Sequence, residues 1–108
     1  MSENDAHKNK SKIIVSIETG LKPLIPKYLN NRQKDLRSIL ENLDRGDFEA
    51  IRNIGHMMKG SGQGYGFNRI SQIGLALEQG GKESDTEKIK ESSAELADYL
   101  KRIEIVFE

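Results

Sequence analysis

Four stretches of this chain repeat their apolar residues at helical spacing, with only short breakers between them. Leu36, Ile39, Leu40 and Leu43 recur on one face and stop at Gly46. Asp47 is a good N-cap for a second long helix from Phe48 to about Gln63, which the Gly64-Tyr65-Gly66 stretch ends. Asn68 can cap a third helix, with Ile70, Ile73 and Leu77 on one face before Gly80-Gly81 stop it. Ser84-Asp85-Thr86-Glu87 reads as a capping box opening the last helix, where Ile89, Leu96, Leu100 and Ile103 form a stripe with Ser93 as a gap. Amphipathic helices joined by short connections become antiparallel neighbours. The expected fold is therefore all-α, an antiparallel four-helix bundle.

The two ends are less determined. Residues 1–11 are polar and aperiodic, which reads as a disordered tail, with His7 simply solvated; residues 12–108 form the single domain. Ile13, Val15 and Ile17 alternate and are β-branched, so the lead-in is extended or helical. Pro23 and Pro26 restrict any helix there to short pieces or to a start at a proline. Residues 103–107 either continue the last helix or become extended and pair with residues 13–17.

Composition narrows the chemistry. The 108 residues hold 17 Lys plus Arg against 17 Asp plus Glu, a zero balance that argues against non-specific attraction to nucleic acid or anionic membrane. That zero averages a basic segment at 21–45, a balanced centre and an acidic segment at 80–108. There is no Cys, which removes disulfides, thiolate metal sites and cysteine nucleophiles together. Two histidines cannot build a multi-histidine metal centre, which also leaves a metal-dependent hydrolase without ligands. No apolar run approaches the roughly 20 residues of a membrane helix, and the polar start is not a secretion signal. A small cytoplasmic domain is expected, monomeric, with no metal or cofactor of its own.

The informative segment is Asp47–Phe67, DFEAIRNIGHMMKGSGQGYGF. At about 100° per residue, with Phe48 at zero, Ile51, Ile54, Met58 and Tyr65 fall at about 300°, 240°, 280° and 260°. That narrow stripe faces the core. His56 falls at about 80°, on the opposite side. Lys59 and Gly60 lie one turn after it, Gln63 two turns after it, and Arg52 one turn before. Gly55, Gly60, Gly62 and Gly64 crowd the same helix, at a cost of about 0.8–1 kcal/mol each relative to Ala. Close packing or fraying suits Gly62 and Gly64. Clearance around an exposed imidazole suits Gly60. An exposed histidine with a lysine at i+3 fits a nucleophile whose product is anionic: neutral imidazole is available near pH 7, and Lys59 can neutralise a phosphoryl group placed on it.

Other signals are weaker. GSGQGYG looks like a phosphate cradle, but neither G-x-x-x-x-G-K-[ST] nor G-x-G-x-x-G is met and no strand precedes it. Gly64-Tyr65-Gly66-Phe67 resembles an RNA-recognition strand, yet Gln63, Asn68 and Ile70 break that pattern. Glu41, Asp44, Asp47 and Glu49 bracket a turn, where carboxylates are ordinary capping and dipole partners.

His56-Met57-Met58-Lys59-Gly60-Ser61, then Tyr65-Gly66, then Leu77-Glu78, resembles the histidine-containing phosphotransfer (HPt) domain of two-component signalling over about residues 20–105. The resemblance implies a helical bundle displaying His56 as the residue phosphorylated at Nε2. It implies that Lys59 contacts the phosphoryl group, that Gly60 leaves room for it and for the partner, and that Glu78 holds Nδ1. Gln63 and Arg52 are the supporting neighbours. Gly55 is a departure, since Ala is common before the histidine in relatives; glycine there reads as loosening the helix. The implied function is a phosphorelay intermediate without a kinase core. It takes its phosphoryl group from a receiver aspartate or a sensor or hybrid histidine kinase, and passes it to another receiver. Mg2+ is expected only in the partner receiver. The rival reading is a non-catalytic interaction module in which His56 is incidental.

Overall fold

The computed structural model describes residues 11–108. Most of the expected polar tail, with His7, lies at positions 1–10, outside the described residues. Ser11 is described, and its carbonyl accepts a hydrogen bond from Arg102 Nε at 2.9 Å.

The chain runs from strand β1 (Ile13–Ile17) through a 3-10 turn (Thr19–Leu24) into four helices. These are α1 (Ile25–Asp44), α2 (Phe48–Tyr65), α3 (Asn68–Glu83) and α4 (Thr86–Arg102), followed by strand β2 (Ile103–Phe107). The four helices pack together as the bundle that the periodicity predicts. Among the described residues, no helix is long and apolar enough to cross a membrane.

The lead-in resolves as extended. β1 pairs with β2 in parallel, in a register running from Ile13 opposite Ile103 to Ile17 opposite Phe107. Parallel strands need a long crossover, and here the whole bundle supplies it. Alternation decides the orientation: Ile13, Val15, Ile17, Ile103, Ile105 and Phe107 turn inward, while Ile14 and Val106 turn outward. Ile103 therefore leaves the helical stripe and joins the sheet. The prolines behave as expected. Pro23 sits in the 3-10 turn and Pro26 in the first turn of α1, where a missing N–H costs nothing.

Helix ends depart from the sequence reading at three points. Asp47 does cap α2, accepting from Ala50 N at 3.1 Å, and the helix reaches Tyr65 before Gly66 turns left-handed at φ +90°. The N-cap of α3, however, is Phe67, so Asn68 is already helical and caps nothing. Gly80 and Gly81 do not stop α3; they lie buried inside it, and Ser84 closes the helix at φ +53°. With Ser84 so used, the cap of α4 shifts by one residue to Asp85, which accepts from Lys88 N at 3.1 Å.

The core is Ile25, Tyr28 and Ile39 of α1, Ile51 and Met58 of α2, Ile70, Ile73 and Leu77 of α3, and Ile89, Leu96 and Tyr99 of α4, with Ile17 and Phe67. Of the expected α1 stripe only Ile39 is fully buried, and Leu40 is 47% exposed because it lies one helical step off that line. Ser93, the gap in the α4 stripe, is buried, and its hydroxyl has no partner among the described residues.

Candidate functional site

The site starts from the contact between α2 and α3. A Cβ on Gly55 would lie 2.7 Å from Gly74 O, and one on Gly62 would lie 2.6 Å from Ser71 N. From the other side, a Cβ on Gly74 would lie 2.8 Å from Gly55 O and one on Gly81 2.7 Å from Phe48 O. These distances leave no room for any side chain. Two glycines spaced by seven on each helix thus bring the backbones together along an antiparallel seam, closer than ordinary side chains allow. Ser71 Oγ adds a hydrogen bond to Lys59 O across it. Gly55 is therefore a packing residue, and the reading that it loosens the helix is corrected.

That proximity puts Glu78 of α3 beside His56 of α2. Glu78 Oε2 lies 2.9 Å from His56 Nδ1, and Glu78 Oε1 lies 2.8 Å from Lys59 Nζ. One carboxylate thus serves both residues. The hydrogen bond from Lys59, and next the one from His56, hold the Glu78 carboxyl below the usual carboxylate range. An ionised carboxylate only accepts, so the ring nitrogen facing it carries the proton. In the neutral ring this tautomer leaves the lone pair on Nε2, and the side chain is 67% exposed.

The surroundings are open where the sequence reading asked for clearance. A Cβ on Gly60 would meet nothing within 4 Å, and the same holds at Gly64. The structure brings His56, Lys59, Gly60 and Glu78 together. It does not bring Arg52 to the ring, because that guanidinium binds both carboxylate oxygens of Glu49 at 3.0 Å. Gln63 is exposed farther along the helix. Lys59, expected at a phosphoryl group, has Glu78 as its partner here.

Sequence reasoning missed several supporting residues. Gly74 and Gly81 repeat the spacing of Gly55 and Gly62, a signal visible only when two segments are compared. On the α1 side, Ser61 meets the Tyr28 hydroxyl at 3.2 Å and Arg32 Nη1 at 3.4 Å. Tyr28 stacks on Tyr65 and Phe67, with Arg32 over its ring. This cluster fixes α2 against α1. Met57, next to His56, is 72% exposed and gives the site an apolar neighbour.

The family model for the Hpt domain matches residues 24–105, a span holding the four helices and every residue of the site. Neither a curated protein nor a solved structure gives a match. A helical bundle that displays a histidine on an outer face, over a family match covering most of the chain, places this protein among the Hpt domains of two-component signalling.

Proposed function

We propose that the protein is a phosphorelay intermediate in which His56 Nε2 accepts a phosphoryl group from the aspartyl phosphate of a receiver domain. The observation that carries this reading is the outward imidazole whose Nδ1 is bonded to Glu78 beside the bare surface at Gly60. The Nε2 lone pair attacks phosphorus, the acyl P–O bond breaks, and the aspartate leaves as a carboxylate. The Nδ1 proton stays on the ring, against Glu78. The reverse step on a second receiver regenerates neutral His56. Lys59 is within reach of the incoming charge, being one helical turn from His56.

Such a carrier needs no kinase core, and its phosphoryl group comes from receivers or from a sensor or hybrid histidine kinase. The Mg2+ belongs to the receiver's carboxylate pocket, and this chain contributes no ligand to it. The protein works as a cytoplasmic monomer. Its contacts are transient and near the small end of specific interfaces, about 1,200 Å² in total. A transfer screen with radiolabelled receivers from the host tests this. Acceptance from at least one receiver is expected, and acceptance from none favours the non-catalytic interaction module.

A further inference from the structure

The short sheet reaches beyond the family match at both ends: β1 lies wholly before residue 24, and β2 runs past residue 105. Its β1 edge is open. Glu108 N donates to Ile17 O at 3.1 Å and Thr19 N donates to Glu108 O at 2.9 Å, so the odd-numbered residues of β1 turn their backbone groups to β2. Ile14 and Ser16 therefore direct their N–H and C=O groups to the other side, where no described residue pairs with them. The strand is Ile-Ile-Val-Ser-Ile in unbroken register, without the charge, proline or bulge that protects an exposed edge.

Beside β1 is a cavity of about 490 Å³, lined by residues 13–16 and by Gly66, Asn68, Arg69 and Tyr99. Its polar groups are mainly donors. Tyr99 is 4% exposed, and its hydroxyl has no hydrogen-bond partner among the described residues. Burial pushes that phenol up, against the pull of Arg69, so the O–H is kept. Arg69 meets Glu95 through one nitrogen at 2.6 Å, and its guanidinium has further donors. Helix α3 starts here with no acid in its first turn and no side chain on its cap, which leaves its positive end unneutralised. Lys12 precedes the strand. Glu95 offsets one of these charges, and the surroundings of the cavity stay positive.

We propose that β1 is a docking edge for an extended peptide segment of a partner protein, which adds a third strand on Ile14 and Ser16 and seats an Asp or Glu side chain on Tyr99 and Arg69. Main-chain bonds to the edge give affinity, and the carboxylate gives specificity. A third strand also enlarges a sheet that is small with two. A second copy of this chain would offer its own β1, which carries no acid. The site is separate from the histidine: Gly66 follows His56 by ten residues, about 15 Å along α2.

The test uses the full chain and synthetic peptides that alternate Val and Thr around a central Glu, Gln or Lys, with binding followed by fluorescence anisotropy and amide NMR. The Glu peptide is expected to bind about tenfold tighter than the other two and to shift the amides of Ile14, Ser16 and Arg69. Tyr99→Phe keeps the ring in the core and is expected to weaken the Glu peptide severalfold while leaving the Lys peptide unchanged. Ile14→Pro removes an outward N–H without touching the β1–β2 ladder, and is expected to abolish binding with the circular dichroism of the bundle retained. Equal binding of the three peptides, or binding of none, overturns the inference. So does wild-type affinity in Tyr99→Phe, a concentration-dependent dimer that Ile14→Pro abolishes, or acetate alone reproducing every shift. Each of these results leaves His56 as phosphoacceptor, because none of them reads phosphoryl transfer.

Discussion

At the scale of single residues, the site is two side chains, His56 and Lys59, on the one carboxylate of Glu78. His56 is exposed because its helical angle opposes the core stripe, and Glu78 reaches it because both flank the glycine seam. Lys59 should matter to chemistry and little to folding, since its ion pair is exposed and such pairs contribute about 0–1 kcal/mol. Lys59→Ala is expected to slow phosphoryl acceptance severalfold while circular dichroism and the urea midpoint stay near wild type. Unchanged transfer rates would remove Lys59 from the site. Gly60 gives a sharper contrast. Because its Cβ position is open, Gly60→Ala should stabilise the helix by about 0.5–1 kcal/mol in urea denaturation. If the bare surface serves a docking partner, the same variant transfers more slowly, so stability and activity move in opposite directions.

At the scale of elements, the α2–α3 seam is what turns two amphipathic helices into a site. Gly55→Ala forces a methyl group against the backbone of Gly74 and Leu77, and overpacking of that kind costs about 1–3 kcal/mol. Denaturation should show the loss, and the histidine ring NMR signals should show the Nδ1–Glu78 bond disturbed; a variant as stable as wild type would mean that the seam is looser than described. The four helices were legible because their 3.6-residue periodicity is local. The outward direction of His56 followed from the same arithmetic. The bond from Glu78 did not, because it depends on how near α3 comes, and that distance is set by glycines on both helices. Gly80-Gly81 read as a stop for a related reason: helix propensity favours a break, but burial against Phe48, Arg52 and Ile89 overrides it. Ser84 had no local signal for a left-handed cap, so the capping box was placed one residue early.

For the whole molecule, the sheet joins the ends of the domain. β1 and β2 are ninety residues apart in sequence, so only the alternation within each strand could be read, and their pairing stayed one of two alternatives. Ile17, 1% exposed, is the deepest residue of that sheet, and Ile17→Ala should cost about 2–5 kcal/mol in thermal or urea unfolding. The balanced net charge holds nearly helix by helix: α1 carries four basic against three acidic side chains and α4 four against four, so the acidic excess of residues 80–108 lies outside that helix, at Glu83, Asp85, Glu104 and Glu108. The pH dependence of stability has two opposed parts. Glu78, held below the usual range by Lys59 and His56, contributes stability that is present above the ordinary carboxylate pKa and is lost as pH falls through its lower folded value. Asp35, raised by burial against the pull of Arg32, carries a cost at neutral pH that disappears as pH falls through its raised folded value. Glu78→Gln should therefore flatten the acid limb of a urea-midpoint titration, and an unchanged limb would contradict the ion pair's role. The central claim, that this bundle exists to carry a phosphoryl group on one imidazole, is tested most directly by offering the same radiolabelled receiver phosphate to wild type and His56→Gln. The account predicts label on the wild type and none on the variant; equal labelling of both would contradict it.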